Sequence, residues 1–484
     1  MKKVFYILAL CSICLTGCFK SNEPWESLKD NEQQLYFVNQ FGASMMSSYY
    51  LWNEEIKEGL DTWQYNSDPI AKVREIRYKD ASGNDIDKWS QMTDDFASFQ
   101  GMVTGNTKST GLEFMLFYAD QNKTNVIAVV TFVYPGSPAA EAGLKRGDTI
   151  VGINDILLTP DNYKSVLSST LRAEGTSVLT MSDGKLISLT AKQMYMNPII
   201  CNKVIEKGGR KIGYLHFTSF TMKSCAELIE VFKGFKAAGI TELVLDLRYN
   251  GGGYSITSSL LASMIVPEKE VRNGSIFQRD VYNSILTEAW GEEFTGFTTE
   301  FTISDEDGEY SLSTAGANPD ISVLHVIMTG NSASASEALI CGLMPYMDVD
   351  ITGSQSGGKY CGGFIVDGPT WFSWVSDAIS KETYNAGVKY TDNWGIYVMV
   401  SRYADKNGNT PCMPNGFTPD KECDDNPLDG YQLGDENETM LAAVLADNTV
   451  APASRALRKP LLKMENQLPR PAVRIINTVN KPIR

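Results

Sequence analysis

Histidine is scarce in this sequence, whose 484 residues contain only two, His216 and His325. Each lies inside an apolar run with the pattern of a buried strand, and a histidine in such a run is usually a core residue. The common serine–histidine–aspartate arrangement therefore lacks a promising base, although the sequence alone leaves His216 open.

Positive charge is also in short supply, because 43 lysines and arginines face 58 aspartates and glutamates, for a net charge of −15. A protein that binds nucleic acid needs a basic face to meet the phosphates, so no nucleic acid is expected as a partner. Basic residues dominate only in the tail, 451–484, where Glu465 is the single acidic residue. That basic tail lies on an acidic surface of its own protein or on anionic lipid, or it is a loosely ordered end.

The apolar run near the start, Val4–Leu15, is too short to span a bilayer. It follows Lys2 and Lys3, so residues 1–17 are predicted to be a secretion signal. The run ends in Leu-Thr-Gly-Cys18, which resembles the lipobox of bacterial lipoproteins. The resemblance implies that Cys18 is lipidated and that acyl chains anchor the protein to a membrane of the cell envelope, outside the cytoplasm. A plain signal peptide with an incidental cysteine is the alternative.

The cysteines after Cys18 lack the paired CxxC spacing of zinc sites, so no metal site is predicted. They are Cys201, Cys225, Cys341, Cys361, Cys412 and Cys423. Cys412 and Cys423 flank one loop and could form a disulfide in an oxidising compartment. Buried free thiols fit the spacing equally well.

The pattern of apolar residues divides the remaining chain into regions. Residues 18–103 are predicted to be a tether and a small helical region, because residues 30–60 carry apolar and aromatic side chains at helical spacing. Strands and helices alternate over 198–450, which predicts an α/β core around a mostly buried sheet. Within it, residues 268–315 have few long apolar runs and are interpreted as an insertion, with a substrate-facing lid as one option.

Turn residues punctuate a strand-rich passage over 104–197. At its centre Gly-Ser-Pro-Ala-x-x-Ala-Gly-Leu-x-x-Gly-Asp, residues 136–148, closely resembles a PDZ domain. PDZ domains take the C-terminus of a peptide as an added strand, and backbone N–H groups hold its carboxylate. The resemblance implies that the peptide-binding loop lies within 109–114. Its predicted peptide-binding residues are Gly111, Leu112, Glu113 and Phe114. A PDZ fold that serves only for packing is the alternative.

Three serines, Ser332, Ser334 and Ser336, alternate after the apolar strand 323–330. A sharp strand exit into a helix would expose a serine and aim free N–H groups at the carbonyl that it attacks. Small residues are also ordinary helix starts, so the cluster alone is a weak signal. A neutral, desolvated lysine can replace histidine as the base. Lys359 lies in a glycine-rich turn, although most lysines are simply solvated.

Taken together, residues 104–447 resemble a carboxyl-terminal processing (tail-specific) protease of peptidase family S41. Residues 332–337 match the family's S-A-S-A-S-E, Lys359 follows Ser334 by 25 residues, and residues 246–253 match D-L-R-x-N-G-G-G. The resemblance implies a crotonase/ClpP-like β-β-α core with Ser334 as nucleophile and Lys359 as base. The implied oxyanion donors are the N–H groups of Ala335 and of Gly251 or Gly252.

One position departs from the family pattern. Many members carry a glutamine four residues after the lysine, where this chain has Gly363. The group that orients Lys359 must therefore come from elsewhere, or the lysine is less well tuned. Glu337 is retained, and because a carboxylate beside the amine would oppose base catalysis, we expect it to cap the helix instead.

The sequence therefore predicts an α/β (α+β) multidomain protein: an exported, lipid-anchored serine endopeptidase that cleaves protein substrates and uses its PDZ domain for C-terminal segments. No cofactor is implied. An inactive relative that binds peptides without cutting them is the alternative that Gly363 favours. A crotonase-like acyl enzyme is a third option, which the PDZ segment and the export signal disfavour.

Overall fold

The structure is a computed structural model that describes residues 23–65, 67–170, 175–446, 462–464, 467 and 473–475. The predicted signal peptide, the lipidation site Cys18 and most of the basic tail lie outside the described residues. Within the described ranges no helix is both long and apolar enough to cross a membrane.

The N-terminal region is helical, as the apolar spacing predicts. Its elements are a 3-10 turn (Pro24–Ser27), α1 (Asp30–Ser48), α2 (Lys57–Asp61), α3 (Pro69–Ile76), β1 (Gln91–Thr93) and α4 (Phe96–Thr104). Helix α1 buries Phe37, Val38, Phe41 and Met45 completely. These side chains pack against the catalytic region, so the N-terminal helices are part of its core.

The next region folds around one sheet. Its elements are β2 (Asn106–Ser109), β3 (Leu112–Tyr118), β4 (Val126–Val133), α5 (Pro138–Glu141), β5 (Thr149–Ile153), β6 (Ile156–Leu157), α6 (Tyr163–Thr170), β7 (Thr176–Met181), β8 (Leu186–Thr190) and β9 (Lys192–Tyr195). Strands β3, β4, β5, β7 and β8 are hydrogen-bonded in that order. The Ser137 hydroxyl caps α5 by accepting from Ala140 N at 3.2 Å, where Pro138 is the first helical residue. The Ser-Pro pair thus starts the short helix that the sequence predicts.

The α/β core that the sequence predicts over 198–450 begins with a mainly parallel sheet. Its elements up to the serine helix are β10 (Ile199–Lys207), β11 (Arg210–Phe217), a 3-10 turn (Met222–Ser224), α7 (Cys225–Ala238), β12 (Glu242–Asp246), β13 (Gly252–Tyr254), α8 (Ser255–Ile265), α9 (Glu268–Asn273), β14 (Ile276–Tyr282), α10 (Ser284–Trp290), β15 (Glu293–Gly296), β16 (Glu300–Asp305), β17 (Gly308–Ser313), β18 (Val323–Met328) and α11 (Ala335–Leu343). Strands β11, β12 and β18 are parallel neighbours, and Asp246 pairs with Ile327. The loops that follow β12 and β18 therefore meet at one edge of the sheet.

A second sheet faces this one. The later elements are β19 (Asp348–Gly353), β20 (Cys361–Asp367), α12 (Gly368–Trp374), a 3-10 turn (Ser376–Ala378), α13 (Lys381–Tyr390), β21 (Gly395–Ala404), β22 (Lys421–Glu422), α14 (Thr439–Leu445), β23 (Leu462–Lys463) and β24 (Val473–Ile475). Strands β19 and β22 complete the first sheet, and the second has the order β13-β24-β20-β21-β14-β15. Antiparallel pairing of β20 with β21 brings the residues just before β20 close to those along β21.

Residues 268–315 are part of the core, so their interpretation as an insertion is wrong. Strand β14 pairs with β21 and β15, and β16 forms a hairpin with β17. Phe277, Phe301 and Ile303 are buried in the same cluster as the central strands. These strands are short and their apolar residues alternate with polar ones, so the segment lacks the long apolar runs of the central sheet.

The described residues of the basic tail pair with both domains. Strand β23 runs antiparallel to β3, while β24 lies parallel to both β13 and β20. Met464 and Ile475 are buried. These residues therefore lie on their own protein, which is one of the predicted options. Backbone pairing and apolar side chains hold them there, rather than an acidic surface.

Candidate active site

Ser334 lies in the turn between β18 and α11 with a strained backbone. Its φ is 63° and its ψ is −112°, a region that costs a non-glycine residue about 1–3 kcal/mol. The side chain is buried, and its hydroxyl has no hydrogen-bond partner in the part of the chain that the structure describes. The strained backbone and the helix start fit a nucleophile, whereas the burial of Ser334 differs from the exposed serine that the strand exit predicts.

The neighbouring serines are engaged in binding the loop. Ser332 Oγ donates to Leu247 O at 2.7 Å and accepts from Thr329 N at 3.0 Å. Ser336 Oγ donates to Asn250 O at 3.0 Å. Both serines thus fasten the serine loop to the loop after β12, which agrees with the sequence-based choice of Ser334.

Asn250 organises the glycine loop. Its side chain donates to Phe217 O at 2.9 Å and accepts from Gly252 N at 2.8 Å, and its carbonyl accepts from Ala333 N at 3.1 Å. Gly253 has φ of 142°, and a Cβ there would overlap the backbone of Phe220. The loop therefore needs glycine at this position and is held against the serine loop.

The predicted oxyanion donors differ in availability. The N–H of Gly252 already donates to Asn250 Oδ1. The N–H groups of Gly251 and Ala335 have no acceptor among the described residues. Between the two glycines that the sequence left open, Gly251 is thus the one with an available donor.

A buried ionic cluster supports the glycine loop and joins it to the first domain. Arg248 donates to Asp246 and to Glu438, both at 2.7 Å, so it fixes the loop, as the sequence interpretation expects. Arg146, from the domain before the catalytic region, donates to Asp425 at 2.6 Å in the same cluster. Burial alone would raise the pKa of Asp425, but the two guanidinium groups hold it below its usual range. Glu438 also caps α14, since its carboxylate accepts from Leu441 N.

Lys359 is buried just before β20. Its Nζ donates to Tyr397 Oη at 2.8 Å. The Nζ also lies 4.7 Å from the centre of the Tyr397 ring and 5.4 Å from that of Trp89. The amine is thus enclosed by two aromatic side chains, an environment poor in water.

Glu337 holds both candidate catalytic residues by their backbone. Its Oε2 accepts from Ser334 N at 3.0 Å and from Lys359 N at 2.8 Å, which places these two nitrogens within roughly 6 Å of each other. Its Oε1 accepts from Gly358 N at 2.7 Å and from Ser356 Oγ. Burial raises the pKa of Glu337, and these hydrogen bonds oppose the shift. Glu337 is therefore a structural clamp at the helix start, as expected.

The two histidines lie away from the serine hydroxyl. His325 contacts Glu242 and Asp350 through its two ring nitrogens at 3.0 and 3.2 Å. His216 is buried between the rings of Phe132 and Tyr249, and its nitrogens have no hydrogen-bond partner among the described residues. Burial lowers the pKa of His216 to about 4. His216 is thus a core histidine, as predicted, whereas His325 is only partly buried.

Cys412 and Cys423 carry free thiols. Cys412 Sγ lies 3.2 Å from Tyr403 Oη, and Cys423 Sγ lies 3.8 Å from Thr439 O. Of the two alternatives that the spacing allowed, the structure has the unpaired one.

A cavity of about 480 Å³ lies between the strand-rich region predicted over 104–197 and the loop that leads to the three serines. On one side it is lined by the start of β3, including Leu112, Glu113 and Phe114, and by Leu167 of α6. On the other side it is lined by residues 329–331, which precede the serines. Gly111 lies in the turn immediately before β3. The predicted peptide-binding loop and the serine loop thus open on one space.

Comparison with protein families agrees with this arrangement. Residues 211–369 match the model of peptidase family S41, and residues 129–179 match a PDZ domain. The chain carries a PDZ domain and a serine-peptidase domain of family S41. This S41 domain contains the serine loop, the glycine loop and Lys359.

Similar proteins are processing proteases. A carboxyl-terminal-processing protease of Picosynechococcus is 22% identical over 75% of this chain and 76% of its own length. The chloroplastic carboxyl-terminal-processing peptidase 2 of Arabidopsis thaliana is 29% identical over 32% of this chain and 30% of its own. The crystal structure of an S41 protease from Bacteroides fragilis has a TM-score of 0.65, covers 84% of this chain and 96% of that one, and is 23% identical. The last comparison confirms the mixed α/β fold of the S41 domain.

Sequence reasoning missed several residues of the site. Trp89 and Tyr397 enclose the lysine, yet each lies far from it along the chain and belongs to no motif. Arg146 lies inside the PDZ motif, but its partners Asp425 and Glu438 follow much later. Asn250 is part of the motif D-L-R-x-N-G-G-G, and its amide beside three glycines was a signal that could have been used.

Proposed function

We propose that this protein is an exported endopeptidase that cleaves protein substrates with a Ser334–Lys359 dyad. The observation that carries the proposal is the serine turn: Ser334 is strained, its hydroxyl is unengaged, and Glu337 holds its backbone beside that of Lys359. Lys359 is buried beside Trp89 and Tyr397, and its proposed role as base requires the neutral form of its amine.

In the proposed reaction the neutral amine of Lys359 takes the proton of Ser334 as Oγ attacks the substrate carbonyl carbon. The negative oxygen of the tetrahedral intermediate accepts from the N–H groups of Gly251 and Ala335. The carbon–nitrogen bond then breaks, and the ammonium returns its proton to the leaving amine. Water, deprotonated by the same lysine, hydrolyses the acyl-serine ester and regenerates the hydroxyl.

The proton transfer requires a small movement from the arrangement described above. Ser334 Oγ makes no hydrogen bond within the described part of the chain, whereas Lys359 Nζ donates to Tyr397. Catalytic hydrogen bonds often form only when substrate is bound. In the proposed reaction the Lys359 amine exchanges Tyr397 Oη for Ser334 Oγ when substrate binds.

Substrate recognition is proposed to use the PDZ loop, Gly111 to Phe114. PDZ domains bind extended peptide ends along a strand edge, and here that groove opens into the cavity that reaches residues 329–331. Relatives carry the name carboxyl-terminal-processing protease, which supports the choice of C-terminal segments as substrates.

Anchoring is proposed to use lipid at Cys18, a position outside the described residues. The support is the lipobox-like sequence alone. Metabolic labelling with a radioactive fatty acid tests it: label on the protein and its loss in Cys18→Ser support the anchor. Label that persists in Cys18→Ser would exclude this site.

The dyad is tested by incubating the protein and its Ser334→Ala and Lys359→Ala variants with an unfolded protein substrate. Both variants should keep the thermal unfolding midpoint within a few degrees and lose cleavage. Cleavage that survives either change removes the dyad.

A second candidate is a PDZ protein that captures peptide tails without cutting them. The observation in its favour is Gly363, which departs from the glutamine of the family pattern that the sequence resembles. Peptide binding by a wild-type protein that cleaves no unfolded substrate would support it.

A further inference from the structure

The space beside Gly363 is filled by a tyrosine. A Cβ built on Gly363 would lie 2.9 Å from Cε2 of Tyr397 and would overlap Val398 O. The pairing of β20 with β21 is irregular at this point, between Gly362 and Gly363. Met399 Cε lies 2.8 Å from the same position, so a glutamine at position 363 would require the Val398 backbone, Met399 and the Tyr397 ring all to move.

The same tyrosine reaches the lysine. Tyr397 is 2% exposed, and its Oη accepts from Lys359 Nζ at 2.8 Å. A phenol hydroxyl can accept from an ammonium group and can donate to a neutral amine, so it can bind the lysine in both protonation states. A glutamine side chain offers the same pair of capacities through its amide oxygen and nitrogen.

We propose that Tyr397 is the positioning residue for Lys359 and performs the role that glutamine has in relatives, with Gly363 leaving room for its ring. This inference rests on the proposed function of Lys359 as base. Tyr397 approaches the amine from the neighbouring strand β21, whereas a residue at position 363 would approach from β20 itself.

The test is Tyr397→Phe, which keeps the ring and removes the hydroxyl. We expect kcat to fall about 10- to 100-fold, within the range for loss of one acid–base contact, with KM changed less than about twofold. The acidic limb of the pH–rate profile should also shift, because the hydroxyl contacts the group that titrates. A merely structural role would not move this limb.

Tyr50→Phe is the matched control, because Tyr50 is also buried and donates to a single carboxylate, Asp87, at 2.8 Å. It should lower the unfolding midpoint and leave the pH–rate profile unchanged. A Tyr397→Phe enzyme with wild-type kcat and pH profile would overturn the inference. If instead Lys359→Ala remains active, the proposed function itself fails, so the two failures are distinguishable.

A separate observation concerns the tail segment, defined as the described residues Leu462–Met464, Gln467 and Val473–Ile475. It covers the free edge of the PDZ strand β3. Met464 N donates to Leu116 O at 3.1 Å, and the Gln467 amide both donates to Leu116 O at 2.9 Å and accepts from Leu116 N at 2.8 Å. Met464 is buried in the PDZ core cluster.

The direction of this strand is the one that a PDZ ligand takes. Strand β23 is antiparallel to β3, with Leu462 opposite Tyr118 and Lys463 opposite Phe117. The segment therefore advances toward the start of β3, where the predicted carboxylate loop lies. Lys463 and Gln467 also line the 480 Å³ cavity.

Further along, the tail segment enters the catalytic region. Val473 pairs with Gly252 and Ile475 pairs with both Tyr254 and Gly363. Strand β24 thus separates β13, which follows the glycine loop, from β20, which follows Lys359. A chain on this path therefore lies between the strands that follow the glycine loop and Lys359.

We infer that the tail segment is an internal ligand of the PDZ groove, bound where the proposed function places the ends of substrates. An extended peptide with an apolar residue at the place of Met464 and an amide at the place of Gln467 would compete with it. Two contacts at different points, one in the PDZ domain and one beside Gly252, support the inference together.

The probe is a fluorescent peptide with the sequence of residues 462–467, LKMENQ, titrated into the full chain and into its Met464→Glu variant. The glutamate would place a charge in the apolar groove, so the internal segment should leave and the free peptide should bind at least about tenfold more tightly than it binds wild type. Leu462→Ala is the control, since Leu462 is 47% exposed, and it should bind as wild type does.

Equal affinity for wild type and Met464→Glu, or no binding to either, would overturn the inference. A far-ultraviolet spectrum and an unfolding midpoint close to those of wild type show that Met464→Glu is folded. Peptide binding is measured on Ser334→Ala backgrounds, so the result is independent of whether the dyad is active.

Discussion

The serine half and the lysine half of the site are held in different ways. On the serine half, Ser332, Ser336 and the Asn250 amide bind backbone atoms of neighbouring loops. On the lysine half, the Lys359 amine binds the side chain of Tyr397 and lies against that of Trp89. Backbone atoms are present whatever the partner residue is, whereas a side-chain contact depends on the partner's identity. The serine half is therefore recognisable from its own motif, and the lysine half is not.

The largest expected effect sets Ser334 against Ser336. Ser334→Ala removes the proposed nucleophile and should lower kcat/KM at least roughly 1,000-fold. Ser336→Ala removes one hydrogen bond to Asn250 O, so it should cost about 1 kcal/mol of unfolding free energy and less than about tenfold in kcat/KM. Cleavage assays and urea unfolding of both variants check this. Similar losses of activity in the two variants would show that the serines act as a unit.

The next effect tests the glycine loop. Asn250→Ala frees Gly252 N and loosens the loop that presents Gly251, so kcat should fall about 100-fold, as for a misplaced oxyanion donor. Asn318→Ala is matched, because the buried Asn318 amide donates to Ser263 O and Val266 O away from the site. Both changes should cost about 1–3 kcal/mol of stability. Equal kcat in the two variants, measured below their unfolding midpoints, would contradict a role for Asn250 in catalysis.

The smallest expected effect on activity concerns His216. Its ring packs against Phe132 and Tyr249 and makes no hydrogen bond to the described residues. Its pKa falls from an ordinary 6.5 to about 4 because burial disfavours the charged ring; Asp246 opposes this shift, while Arg248 and Arg146 add to it. A depressed histidine pKa means that the unfolded chain binds the extra proton. The stabilisation from a neutral His216 is therefore complete above about pH 6.5 and is lost as the pH falls toward 4.

Between pH 7.5 and 4.5 this linkage should amount to about 2 to 3 kcal/mol of unfolding free energy. His216→Phe should flatten the pH dependence by that amount in urea titrations and leave cleavage at pH 7.5 nearly unchanged. A His216→Phe profile parallel to that of wild type would refute the assignment.

The sequence predicted the parts of the site that depend on local geometry. The strand exit pointed to the serine cluster, and the family resemblance selected Ser334 within it; the glycine run pointed to the loop at the end of β12. The sequence could not predict Tyr397. A glycine at position 363 shows that no side chain extends from that position, but it does not identify the distant residue that packs there. The sequence also missed strands β14 to β17, whose apolar residues alternate and so lack a long run. The ion pairs of Arg146 could not be predicted from the sequence, because their carboxylates, Asp425 and Glu438, lie far along the chain.

If the tail segment is an internal ligand, any chain that approaches Ser334 between β13 and β20 must first displace strand β24. A segment that belongs to the same chain as its groove competes at an effective concentration set by covalent connection, which is on the order of millimolar in tethered systems. A free peptide with the same contacts would need a comparable concentration to displace half of it. Unfolded proteins that offer more strand pairing than residues 462–475 would displace the segment at low concentration, whereas folded proteins with short loose ends would not. Selectivity of this kind is a property of competition and requires no specific side-chain pocket.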